Sequence, residues 1–217
     1  MRDKLSVITG SFMQPAFLIF CLLFLNVGCD RKKDVQPPEQ SATEAEINAY
    51  SNENVFEEFL RKVKEDPKNV ENLYHLADLY DRNNQYEKAV EYFAKVIALK
   101  PGMGYAYLKM GTDYSRMNQP EKAVAILKDA AVHLPNNPVV MNNLGIAYGK
   151  LGRVDEEIAA LKKALAIRDR YDSARFNLGL TYIKKGNLPA ARAEYQVLKE
   201  LNVTMAQDLL KQIEAGK

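Results

Sequence analysis

A tyrosine recurs every 34 residues along this chain, at Tyr80, Tyr114, Tyr148 and Tyr182, and each copy brings its neighbours with it. A small residue precedes it on one face, as Ala77, Gly111, Gly145 and Gly179, beside an apolar one, as Leu76, Met110, Leu144 and Leu178. A fixed period of this size marks a stacked architecture, in which each unit is a helix–turn–helix unable to bury its apolar face alone. That constraint excludes most other folds before composition is considered.

The columns carry consistent chemistry. The apolar residue and the tyrosine lie one helical turn apart, so they share a face. The small residue between them permits close approach of a second helix. Turn residues follow at Asn84, Asn118, Gly152 and Gly186, types that accept left-handed backbone. The second helix presents Ala89, Ala123 and Ala191, with Phe93, Leu127, Leu161 and Tyr195 beyond, and Pro67, Pro101 and Pro135 close successive units.

From about Val70 to Thr204 these columns resemble the tetratricopeptide repeat family. The resemblance implies an all-α, right-handed helix-turn-helix solenoid of about four repeats, at 70–103, 104–137, 138–171 and 172–203. Four residues depart from the pattern: Glu157 replaces a small residue, Asp169 and Val203 replace the closing proline, and Arg175 replaces a large apolar one. Less regular outer helices are therefore expected in the third and fourth units. A solenoid needs capped ends. Val55, Phe56, Phe59, Leu60 and Val63 predict an N-terminal capping helix within 53–69. Thr204-Met205-Ala206-Gln207 has capping-box form and predicts a C-terminal capping helix at 204–217, with Met205, Leu209 and Ile213 as its apolar stripe.

Arg2 and Lys4 precede an apolar run, Ala16 to Leu25, shorter than the about 20 residues a spanning helix needs. The following Leu25-Asn26-Val27-Gly28-Cys29 resembles the lipobox of bacterial lipoproteins, with Asn26 departing from the usual aliphatic residue. The resemblance implies a signal peptide at 1–28, lipidation of Cys29, and a flexible polar tether over 29–52, part of which has helix-forming composition. An uncleaved signal anchor from about Phe12 to Val27, or a simple cleaved signal, are the alternatives. Lipid chains at Cys29 would hold the protein on a membrane stably.

Composition narrows function further. Thirty basic residues against 28 acidic leave a formal charge of +2, without the basic excess of nucleic-acid binders. The two cysteines, Cys21 and Cys29, both precede the repeats, and only His75 and His133 could offer imidazole, so neither a disulfide framework nor a thiolate or histidine-rich metal site is expected. No glycine-rich phosphate loop or catalytic constellation is apparent, so we expect no enzyme, no cofactor and no small-molecule substrate.

Function is expected in binding. In this family the first helix of each unit lines a concave surface for peptides or partner helices, here implying Tyr74, Tyr105, Leu108, Val139, Asn142, Ile146, Phe176, Leu180 and Ile183. Asn143 and Asn177 stand at positions where related repeats use asparagine to hold an extended peptide backbone, with His75 and Lys109 at the same position in the first two units. The alternative for the apolar positions is packing against a cap or the tether. Arg82, Arg116, Lys150 and Lys184 form a row at the ends of the first helices, either as helix-end partners or as a cationic lip for acidic partners. The paired-lysine arrangement that clamps chaperone C-termini is absent. The expected protein is a membrane-anchored adaptor or scaffold of the bacterial cell envelope, of the kind that assists pili, secretion or wall machinery. A structural oligomer assembling through its repeat ends is the alternative.

Overall fold

The computed structural model describes residues 44–215, with side chains described from residue 54. The expected signal peptide, Cys29 and the greater part of the tether lie outside the described residues. Every described element is an α-helix: α1 (Glu44–Glu65), α2 (Val70–Arg82), α3 (Tyr86–Leu99), α4 (Gly104–Arg116), α5 (Pro120–His133), α6 (Pro138–Lys150), α7 (Val154–Ile167), α8 (Asp172–Lys184), α9 (Leu188–Leu201) and α10 (Val203–Ala215). They pack in chain order as an all-α solenoid of four helix pairs, α2–α3 through α8–α9, between α1 and α10.

Local chemistry sets the helix ends. Asn69 Oδ1 accepts from the Asn72 N–H at 3.0 Å, and Asn137 Oδ1 accepts from the Val139 N–H at 2.9 Å, satisfying donors that a helix start leaves unpaired. Pro138 follows Asn137 at the first helical position, where a missing N–H costs nothing. Each pair turns through a left-handed residue: Asn84 at φ 57°, Asn118 at 56°, Gly152 at 72° and Gly186 at 76°.

Within a pair, the small column fits against the second helix. A Cβ on Gly111 would lie 2.7 Å from Leu127 Cγ, and one on Gly145 would lie 2.7 Å from Leu161 Cγ. Phe93, Leu127 and Leu161 are fully buried, each worth about 1.5–3 kcal/mol of transfer free energy. At the N-terminal end, Phe56 of α1 meets the Tyr80 ring edge-on at 4.9 Å, and Phe59 packs on His75 at 5.0 Å. Helix α1 begins at Glu44, nine residues before the boundary expected at 53, so the helix-forming end of the tether continues into it.

The third and fourth units are not less regular. All four first helices have 13 residues and all four second helices have 14. The departures compensate for one another. Glu157 occupies space left by Gly149, whose added Cβ would meet Glu157 Oε1 at 2.6 Å, and it accepts the Thr181 hydroxyl at 2.7 Å. Arg175 donates to the Asp169 carbonyl at 3.1 Å and to Glu194 at 3.0 Å, and pairs with the Asp169 carboxylate. The residue that displaced proline thus supplies a partner for the residue that displaced an apolar side chain.

Helix α10 starts at Val203, and its cap is Asn202, not the expected Thr204. Asn202 Oδ1 accepts from the Met205 N–H at 3.1 Å, and its amide donates to Asp172 Oδ2 at 2.9 Å, tying α10 to the start of α8. Leu209 and Ile213 are fully buried. In the fourth unit the atoms nearest a Cβ on Gly179 belong to Leu209 of α10, at 2.6 Å, so the C-terminal helix takes the contact made elsewhere by a unit's own second helix.

Candidate partner-binding face

First helices touch one another along the stack, α2 with α4, α4 with α6 and α6 with α8, whereas second helices of successive units do not. The closer spacing on one side curves the stack and makes the first-helix side its inner face.

The expected groove residues divide on this face. Tyr105 is 56% exposed and Ile146 is 36% exposed, so both offer apolar surface to a partner. Tyr74 is half-buried, its ring edge-on to Phe93 at 5.5 Å, and Val139 is half-buried against the central core. Leu108, at 8% exposure, belongs to that core and lines no groove. Phe176, Leu180 and Ile183 pack with the cluster that α10 closes, because the capping helix covers their end of α8. Leu108 is thus a core residue, and the other three are partly buried against the C-terminal cluster.

The asparagines bind one another. Asn177 donates to Asn142 Oδ1 at 3.0 Å, Asn142 donates to Asn143 Oδ1 at 3.3 Å, and Asn143 donates to Thr112 Oγ1 at 2.9 Å. Thr112 in turn donates to the Leu108 carbonyl at 2.7 Å. This chain of bonds crosses α8, α6 and α4, and Asn142 is only 4% exposed within it. It joins successive units before any peptide arrives.

The cation row is a set of ties between units. Lys184 donates to the Gly149 carbonyl at 3.2 Å, Lys150 donates to the Ser115 carbonyl, and Arg116 pairs with Asp81, each reaching one unit back to the same repeat position. Arg82 pairs instead with Asp78, at 2.7 Å within its own helix. The helix-end explanation therefore holds for Lys150 and Lys184, whose carbonyl partners lie in the last turn of the previous unit's first helix, a distinction that spacing within a single helix does not reveal.

Between α2 and α4 lies an ion network that the repeat columns did not announce. Lys109 bonds Asp78 at 2.7 Å and Asp81 at 3.0 Å, and its ammonium is held above the ordinary lysine range by both carboxylates against the effect of burial. Burial works against Asp81, yet Lys109, Asp113 and Arg116 hold its carboxyl below the usual range. Asp113, fully buried, is pushed up to about 8, first by burial and then by the neighbouring Asp81 charge. A carboxyl held near 8 is largely protonated at neutral pH.

One pocket of about 230 Å³ opens between α4 and α6, lined by Thr112, Ser115, Arg116, Asn143, Ile146 and Lys150. Asn143 and Ile146 were expected on the inner face, and Arg116 and Lys150 belong to the row of cations at the first-helix ends. Thr112 and Ser115 were missed, although Thr112 occupies the same repeat position as Ile146. Among the described residues no group of three or more His, Cys, Asp or Glu side chains is placed to hold a metal ion, and no helix is long and apolar enough to cross a membrane.

Stacked helix pairs with a curved first-helix face are the architecture of a protein-interaction scaffold. Residues 70–103 and 108–173 match models described as tetratricopeptide repeat, so this part of the chain is built of tetratricopeptide repeats. Among solved structures the chain is similar to MamA (residues 41 to the end) from Desulfovibrio magneticus RS-1, at 21% identity, covering 73% of this chain and 89% of that one with a TM-score of 0.67. It is also similar to YrrB, described as a TPR protein with an unusual peptide-binding site, at 18% identity, 76% and 86% coverage and a TM-score of 0.64. PilW, described as a widely conserved type IV pilus biogenesis factor, gives 22% identity, 78% and 83% coverage and a TM-score of 0.64. A search of curated proteins gives no significant match.

Proposed function

We propose that this protein is a membrane-anchored scaffold of the bacterial cell envelope that holds an extended segment of a partner protein along its first-helix face. The observation that carries the reading is the pocket between α4 and α6, where exposed Ile146 adjoins a polar wall of Thr112, Ser115 and Asn143. An apolar anchor beside backbone-binding groups suits an extended peptide. YrrB, with its peptide-binding site, supports the use of such a fold in this way. The membrane part rests on Arg2, Lys4, the apolar run and Cys29, and PilW is a relative in fold whose described role in pilus biogenesis agrees with an envelope setting. A tether from a lipidated Cys29 would raise the local concentration of the face near membrane-bound partners.

Two experiments test the two halves. Crosslinked capture from the native host should lose specific partners in Tyr105→Glu/Ile146→Glu, whose side chains lie outside the core, while circular dichroism stays unchanged. Identical partner lists would remove the groove from the reading. Cys29→Ser should abolish acyl labelling and release the protein from the membrane fraction; unchanged labelling and fractionation would remove the lipid anchor.

A further inference from the structure

The geometry points to a carboxylate subsite in the pocket between α4 and α6, taking an aspartate or glutamate side chain of the bound partner segment. This rests on the reading of the inner face as a peptide groove and adds a chemical requirement to it. The pocket, at about 230 Å³, is below the roughly 300–1,000 Å³ of small-molecule sites and suits the end of one side chain.

The lining is rich in donors and includes two cationic side chains, Arg116 and Lys150. Thr112 Oγ1 accepts from Asn143 and gives its own proton to the Leu108 carbonyl. The Asn143 oxygen already accepts from Asn142, while its amide nitrogen has given one of two hydrogens to Thr112. The Ser115 hydroxyl, on a residue 92% buried by its 8% exposure, has no hydrogen-bond partner. Among the described residues Lys150 makes its bond to a backbone carbonyl and pairs with no carboxylate, which leaves its charge uncompensated and two ammonium hydrogens to give. Arg116 adds a second cation, paired with Asp81 outside the lining.

An amide or hydroxyl ligand could bond this wall but would bring no counter-charge to Lys150. A basic side chain would be repelled by Lys150. A carboxylate is acceptor-only and carries the complementary charge, and Ile146 provides apolar wall for the methylenes that bear it. Complementarity therefore selects an acidic side chain.

The test uses the purified full chain in mild detergent, immobilised and exposed to a library of short peptides acetylated and amidated at their ends, with each position varied through all residue types. The expected result is that retained peptides favour Glu or Asp at one position by about tenfold over Gln or Asn, as a charge-assisted bond predicts. That preference should collapse in Lys150→Gln and weaken in Ser115→Ala, with helicity and peptide retention through Ile146 intact. If peptides are retained without an acidic preference, or with one that Lys150→Gln and Ser115→Ala leave unchanged, the subsite is overturned and the groove stands. If a second library with free C-termini shows that the preference follows the terminal carboxylate, the side-chain assignment is overturned. If no peptide is retained, and Ile146→Glu behaves like the wild type, the groove fails and the subsite with it.

Discussion

Asn177 donates its side-chain amide to Asn142 Oδ1 across 3.0 Å, joining α8 to α6 on the inner face. Residues at positions associated with peptide binding thus serve first as links between repeats. Because Asn142 is buried, removing its side chain leaves the Asn177 donor and the Asn143 acceptor short of partners. Asn142→Ala should lower unfolding free energy by about 1–3 kcal/mol, read from urea denaturation. A change under about 0.5 kcal/mol would show that water replaces the link without loss.

Asp113 makes stability fall as pH rises. Its folded pKa, about 8, exceeds its ordinary value, so between roughly pH 4 and 8 the folded state holds a proton that the unfolded state has released. Stability is then highest toward the acid end of that window, declines through it, and becomes level above it. The depressed Asp81 carboxyl acts in the opposite sense, but only at pH below its unfolded value. Asp113→Asn mimics the neutral acid, and its melting temperature should exceed that of the wild type at pH 8 and approach it near pH 5. Parallel melting curves across this range would show that Asp113 is ionised in the fold.

Gly145 sets two effects against each other. Alanine would gain about 0.8–1 kcal/mol of helix propensity, but its Cβ would lie 2.7 Å from Leu161 Cγ, and overpacking costs about 1–3 kcal/mol. The clash should win, so Gly145→Ala is expected to be net destabilising in thermal denaturation. Gly102→Ala is the control. No atom lies within 4 Å of its added Cβ, and it should be neutral or slightly stabilising.

Arg175 and Glu194 should show strong coupling. Arg175→Met alone leaves Glu194, only 16% exposed at its side chain, without its cation. We expect a loss of about 2 kcal/mol, less than the roughly 3–5 of a fully buried pair because Glu194 retains some water. Arg175→Met/Glu194→Leu should recover most of that loss. A double variant whose loss equals the sum of the single losses would show that the pair makes no linked contribution.

The fold was legible because its determinants are local and repeated. Each unit carries its own small residue, aromatic, turn residue and alanine, so the 34-residue period and the left-handed turns at Asn84, Asn118, Gly152 and Gly186 could be read without tertiary information. The inner face was legible only in part. Tyr105 and Ile146 are exposed there, but Leu108 is buried in the core and Phe176, Leu180 and Ile183 lie under the influence of α10. Column position assigns a residue to a helix face. It does not say whether a neighbouring unit has already covered that face.

The sequence by itself determined the class of architecture, the placement of the turns, and the close contacts at Gly111 and Gly145 inside the second and third pairs, because these depend on side chains one turn or one unit apart. The tertiary structure decided which polar residues were consumed by links between units: the asparagine chain, the cations reaching one repeat back, and the proton held at Asp113. It also decided that Leu209 of α10 fills the notch at Gly179 and that Arg175 with Asp169 keeps the fourth unit regular. Those outcomes depend on groups brought together from separate helices and on the water that their packing excludes, quantities that no periodicity in one dimension contains.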